Sequence, residues 1–153
     1  MQNNLANTYA ALGQEEEALS MRRDVYTGTF NLKGEESLQT IMMANNYACS
    51  LKELGRLEEA RALYRKWMLV SQRVLGDCDH CTLTFKKRFA QTVYEDGRAT
   101  LDDLREAVKT LVETARIARR VLGGAHPVVE DTDRSLREAL AALRARETSP
   151  GRK

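Results

Sequence analysis

Little in this sequence could cross-link the chain, embed it in a membrane or perform chemistry. Its 153 residues include three cysteines, two prolines and three phenylalanines, and aromatics of all kinds make up 6%. Scarce proline leaves long stretches free to be helical. Three cysteines cannot form a closed disulfide framework, and without a secretory leader they suggest reduced thiols in an intracellular, cytoplasmic setting. No run of 18 apolar residues occurs, and no basic segment followed by an apolar one opens the chain, so the expectation is no membrane association. Charge of one sign is lacking too: 24 basic residues against 22 acidic ones leave a net charge of +2. That gives little support to nucleic-acid binding through bulk charge, and none is expected. Phosphate-cradling glycine loops are missing as well, since Gly123-Gly124 ends a helical stretch where such loops open one. Nucleophile, base and oxyanion constellations are absent, so neither an enzyme nor a cofactor is expected.

What the chain does have is self-similarity at a step of 42 residues. Asn4-Leu5-Ala6, Tyr9, Gly13 and Glu16-Glu17-Ala18 return as Asn46-Tyr47-Ala48, Leu51, Gly55 and Glu58-Glu59-Ala60. A third copy starts at the same step with Phe89-Ala90, Val93 and Gly97. Internal repeats of this length mean stacked units that bury a face only against their neighbours, an architecture suited to holding a partner.

Within each unit, helical spacing is interrupted once. The pattern predicts a helix around Gln2–Leu12, a break at Gly13 and a second helix from about Glu15 to Leu32. The second unit reads as Ser37–Leu54, Gly55 and Leu57–Leu75; the third as Asp79–Glu95, Gly97 and Leu101–Leu122. A seventh helix fills roughly Pro127–Arg146, and Glu147–Lys153 reads as a polar tail. Each break glycine is expected to supply a left-handed backbone that ends the first helix. Ala6, Ala48 and Ala90, seven residues before the glycines, and Ala18 and Ala60, five after, allow close helix approach, where a bulky side chain would cost about 1–3 kcal/mol.

The third unit departs from the step after Gly97. Its small residue is Ala107, ten residues on, so five extra residues around Arg98–Asp102 are expected to lengthen a loop and tilt the last helix pair. Leu101, Leu104, Val108, Leu111, Ala115, Ala118 and Leu122 then form a one-faced apolar stripe, with Thr100 as N-cap. On the seventh helix Val129, Thr132, Leu136, Leu140 and Leu143 keep a narrow apolar face. Glu130–Arg134 and Asp133–Arg137 stand four apart on its charged outer side, as a capping helix requires. The chain opens inside a helix without a cap, which fits a segment of a longer array better than a natural start.

Helix–Gly–helix units with Ala, Tyr, Gly and Ala at these places resemble the tetratricopeptide repeat. The 42-residue period, in place of the usual 34, resembles the kinesin light chain subtype. Its units read Asn-Leu-Ala, Gly, Glu-Glu-Ala and close with Leu-Gly, a short turn, His-Pro and Thr. Leu75-Gly76-Asp77-Cys78-Asp79-His80-Cys81-Thr82 and Leu122-Gly123-Gly124-Ala125-His126-Pro127 look like those endings, and Leu32-Lys33-Gly34-Glu35-Glu36-Ser37 like a degraded one. Trp67 departs from the family, standing where a small Ala is usual, so the packing there must open or the indole be exposed.

The resemblance implies an all-α, right-handed α-solenoid over residues 1–147: three tetratricopeptide-like hairpins (about 3–40, 45–82 and 87–127), then a capping helix over about 127–146. It also implies a scaffold or adaptor that binds a protein or peptide segment in a concave groove lined by the first helices. Position by position, the groove would hold Asn3, Asn4 and Asn7; Asn45, Asn46, Cys49 and Lys52; and Lys87, Arg88, Gln91 and Tyr94. Asparagine is a poor helix former, so five on first helices are not there for propensity. Their amides could hold a peptide main chain, and Lys87 and Arg88 would attract an acidic partner. Asn7, Asn46 and Arg88 fall on three of the five places of a carboxylate clamp found in some relatives, with Asn3 and Thr84 where Lys is usual.

Two other readings stay open. The array could be a self-associating spacer, dimerising through its ends. Cys78, His80 and Cys81 could serve a metal or redox role, although a structural zinc wants four ligands and no second cysteine pair exists. No metal site is therefore assigned, and both histidines are expected at equivalent turns.

Overall fold

The computed structural model describes residues 4–6 and 13–149. Their regular structure is entirely helical: α1 (Glu15–Lys33), α2 (Leu38–Glu53), α3 (Leu57–Leu75), α4 (His80–Tyr94), α5 (Leu101–Leu122) and α6 (Pro127–Thr148). Residues 4–6 are helical too, while the rest of the expected first helix lies outside the described residues. The chain divides into two compact units, Met1–Val74 and Leu75–Lys153.

Local chemistry starts and stops these helices. Gly34, Gly76 and Gly123 end α1, α3 and α5 with positive φ. Three residues later, Ser37, Asp79 and His126 each stand at the N-cap of the next helix. Asp79 Oδ1 accepts the Cys81 N–H at 2.8 Å, and His126 Nδ1 accepts the Val128 N–H at 3.2 Å, with Pro127 preset for the first turn. The residue equivalent to His126 is thus Asp79, and His80, expected at that turn, is already the first helical residue of α4. At α5, Thr100 closes a full capping box: its hydroxyl accepts the Asp103 N–H at 3.1 Å and Asp103 Oδ2 accepts the Thr100 N–H at 2.9 Å. Such a cap contributes about 1 kcal/mol.

The break glycines do not all act alike. Gly55 takes φ +74°, as the turn between α2 and α3 demands. Gly97 has no positive φ. The longer loop between α4 and α5 turns on Asp96 instead, whose Oδ1 accepts the Arg98 N–H at 2.9 Å and whose carbonyl accepts the Ala99 N–H at 3.0 Å. The five extra residues are also shared: Leu57 opens α3 two residues past Gly55, Leu101 opens α5 four past Gly97, and α5 has 22 residues against 19 in α3. More than half of the insertion is helix.

In the first unit α1 packs on α2. Trp67 on α3 is fully buried, which settles the alternative in favour of opened packing. Its indole Nε1 donates to the Tyr26 hydroxyl at 3.2 Å. Tyr26 and Phe30 meet it edge-on with centroids 5.9 and 6.4 Å away, Tyr47 stacks on Tyr26 at 5.6 Å, and Lys66 Nζ lies 5.2 Å from the Phe30 centroid. Each aromatic pair adds about 0.5–1.5 kcal/mol beyond its buried area. Arg22 on α1 donates to Ser50 and lies 3.8 Å from Glu53.

In the second unit α5 packs on both α4 and α6, and α4 also touches α6. Leu83, Ile117, Ala118 and Val129 form one core cluster across the three helices. Ala107 and Leu111 are fully buried, as are Ala60 and Tyr64 at matching places on α3, so the register through the insertion is the expected one. On α6 the buried residues are Val129, Thr132, Ser135 and Ala139, while Leu136, Leu140 and Leu143 are only partly covered. The buried face is thus rotated from the leucine stripe towards small polar residues that let α6 lie close to α4. Asp133 turns to Arg119 of α5 at 2.8 Å in place of the expected Arg137, and Arg134 lies 3.6 Å from Asp131.

Candidate interaction surface

Eight of the eleven residues assigned to a groove sit on α2 and α4, and all eight are partly buried. Asn4 is exposed; Asn3 and Asn7 lie outside the described residues. On α2, Asn45, Asn46, Cys49 and Lys52 follow helical spacing beside the buried row Ile41, Ala44, Ala48 and Leu51. Cys49 Sγ accepts from the Tyr64 hydroxyl at 3.3 Å, which ties this face to α3. The Oδ1 of Asn45 is buried and meets no hydrogen-bond donor among the described residues.

On α4 the equivalent positions meet α6. Lys87 Nζ bonds Asp131 Oδ2, Gln91 Nε2 donates to Ser135 Oγ at 3.1 Å, and the Tyr94 hydroxyl donates to Glu138 Oε2 at 2.8 Å. Each rung joins residues 44 apart. Asp131, Ser135 and Glu138 were not anticipated, although their spacing of four then three copies that of Lys87, Gln91 and Tyr94. That echo was the available signal. It marks α6 as a helix lying alongside α4 in register.

The ladder has an electrostatic signature. The Lys87 hydrogen bond, assisted by the charges of Lys87, Arg134 and Arg88, holds the Asp131 carboxyl below its ordinary value. Burial, then the hydrogen bond to Glu138, pushes the Tyr94 phenol well above its usual 10. A depressed carboxyl contributes stability that is complete above the unfolded pKa and is lost as pH falls through the folded one. A raised phenol works the other way, contributing below about pH 10 and losing that contribution as pH rises. Asp131→Asn should therefore flatten the stability profile below about pH 4, and Tyr94→Phe should flatten it above about pH 10. Denaturant midpoints measured across pH check both signs.

The cysteine cluster offers little for chemistry. Cys49, Cys78 and Cys81 are free thiols, and no three His, Cys, Asp or Glu groups come together as a metal set among the described residues. Burial, reinforced by Asp79, raises the Cys81 thiol and so disfavours its thiolate. Arg120 Nη2 approaches Cys78 Sγ at 3.9 Å. No helix among the described residues is long and apolar enough to cross a membrane.

Comparison with known proteins agrees with this geometry. Residues 1–68 match the tetratricopeptide repeat family model. Over 95% of its length the chain superposes on a Podosopora anserina structure described as kinesin light chain nearly identical TPR-like repeats, with TM-score 0.82 and 21% identity. A single-substitution form of those repeats gives 0.83 at the same identity. The crystal structure of BtubC (BKLC) from P. vanneervenii superposes over 99% of the chain at TM-score 0.59 and 14% identity. This chain spans 66% of the length of the first two and 65% of the third. No curated protein sequence matches it. Paired helices of 42-residue period with small residues at their contacts agree with these likenesses: residues 1–68 match the tetratricopeptide repeat, and the fold of the chain is similar to that of the kinesin light chain TPR-like repeats.

Proposed function

We propose that the chain is a non-catalytic adaptor that holds a protein segment against the α2 face of its first unit by hydrogen bonds to the segment's main chain. The buried, donor-less Oδ1 of Asn45 carries this reading. An unsatisfied buried acceptor costs about 1–3 kcal/mol, and the half-buried Asn45 amide recovers that cost by turning its Oδ1 outward to a peptide N–H. Asn46, with an acceptor and two donors on the same helix, extends the row. Free thiols on both units fit a reducing compartment such as the cytoplasm.

The ladder refines the partner's chemistry. Lys87 already holds Asp131, and Arg88 adds to the field on the same carboxylate. The cations that would draw an acidic peptide are answered from within, which favours a neutral polar segment. Joint Asn45→Ala and Asn46→Ala substitution should remove the partners captured by the chain from a lysate, with helicity by circular dichroism unchanged. Equal capture by the double variant would sink the proposal.

A second reading has its own observation. Leu32 is 87% exposed and Leu38 and Met42 are each 50% exposed, beside a small cleft between the end of α1 and the start of α2 lined by Thr29, Leu32 and Met43. Self-association through this apolar corner would cover them. Light scattering over a dilution series decides it, since a monomer at every concentration excludes the dimer.

A further inference from the structure

Two ion pairs fix how α5 and α6 lie against each other. Arg119 of α5 meets Asp133 of α6 at 2.8 Å, and Arg105 meets Glu147 at 3.8 Å. Arg105 and Arg119 stand about four turns apart on α5, as Asp133 and Glu147 do on α6. Between the two pairs the helices are therefore antiparallel and in register. At about 100° per residue, Lys109, Val112 and Arg116 share the stripe of α5 that carries the paired arginines. Arg137, Leu140 and Arg144 share the matching stripe of α6. Lys109 thus comes opposite Arg144, Val112 opposite Leu140, and Arg116 opposite Arg137.

All four of these cations are exposed, and none has an ion-pair partner among the described residues. Val112 between them is 50% exposed, and Leu140 is partly covered. Glu113, on the edge of the patch, is exposed and equally unpaired, and one carboxylate does not balance four cations. Lys86 and Lys87 on α4, by contrast, are held by Asp77 and Asp131.

We propose that this α5–α6 face is a second docking surface, whose partner is an acidic amphipathic helix. Seven residues separate Lys109 from Arg116 and Arg137 from Arg144, about 10.5 Å along each axis. A helix with carboxylates seven residues apart on both sides of an apolar line repeats that spacing. Laid between α5 and α6, it sets its carboxylates against three guanidiniums and one ammonium. Its apolar line covers Val112 and Leu140.

The first unit offers a parallel for the shape. Tyr47 and Leu51 of α2, two repeat steps before Asp133 and Arg137, line a cleft with Ala62 and Leu63 of α3. That face of α2 receives a helix by apolar contact. The same face of α6 carries charge instead, so the helix it receives is selected by charge. A lipid surface is a poorer match, because interfacial helices bury a row of large apolar side chains and this patch has two aliphatic ones.

The test is binding of the full chain to a fluorescent, end-capped synthetic helix, followed by anisotropy. The probe carries leucines along one line and glutamates seven residues apart on each side of it. It should bind, and joint Arg116→Glu and Arg137→Glu substitution should weaken binding at least about tenfold with helicity unchanged. Glu113→Gln, which removes the one nearby acid, should tighten it. A peptide of the same composition with its glutamates scattered around the helix should also bind at least about tenfold more weakly. No binding, equal binding of the two peptides, or a double variant that binds like the parent overturns the proposal. Tighter binding to phosphatidylserine vesicles than to the helix, lost in the double variant, overturns it in favour of a membrane surface. A dimer by light scattering that the double variant disperses overturns it in favour of a second copy.

Discussion

Replacing Trp67 by alanine should destabilise the protein by about 3–5 kcal/mol, the range for a fully buried large aromatic. The loss has three parts. Removing the indole opens a cavity beside Tyr26 and Phe30; it leaves the Tyr26 hydroxyl, which accepts from Nε1 at 3.2 Å, without that donor; and it takes one ring from the face beside Lys66. A typical domain has only about 5–15 kcal/mol in total. Denaturant unfolding with hydrogen exchange over α1–α3 measures the effect, and a loss below about 1 kcal/mol would mean the aromatic group collapses onto the gap. Trp67→Phe should recover most of the volume but not the hydrogen bond, and so fall between the two.

A second large loss is expected from Leu83→Ala. Leu83 is 2% exposed and belongs to the cluster in which α4, α5 and α6 meet through Ile117, Ala118 and Val129. The cost should be about 2–5 kcal/mol, and α6 should show it most. It enters this cluster only through Val129 and the flanking Val128, and its bonds to α4 are polar. Exchange protection over 128–140 should therefore fall further than protection over α5, and equal losses on both helices would show that the ladder carries α6 without the apolar cluster.

Features governed by near neighbours in sequence were legible; those governed by neighbours in space were not. The helices and their order follow from recurring Ala, Leu and Gly, and the Thr100 cap was readable because Thr and Asp stand three apart on one turn. The Gly97 backbone was misread because its two loop-mates, Asp96 and Arg98, build a side-chain turn that removes the need for a positive φ. The Arg22 contacts had no signal in the sequence, since Ser50 and Glu53 come from 28 and 31 positions away. Among the groove residues, Asn45 and Asn46 were identifiable as misfits to helix propensity. The ladder from Lys87, Gln91 and Tyr94 to α6 left only the echo of its spacing in the sequence, because pairing the two rows needs knowledge of which helix lies beside α4.

The aromatic group around Trp67 also bears on how such a chain can change length in evolution. Repeat arrays grow and shrink by gaining or losing whole periods, which works when each unit presents the same surface to the next. Here Tyr26 and Phe30 come from α1, Tyr47 from α2 and Trp67 from α3, while Thr114 holds the place of Trp67 on α5. Losing one period between them would set a threonine against two rings shaped around an indole. A shortening that keeps this packing would have to retain or remove the first two repeats together.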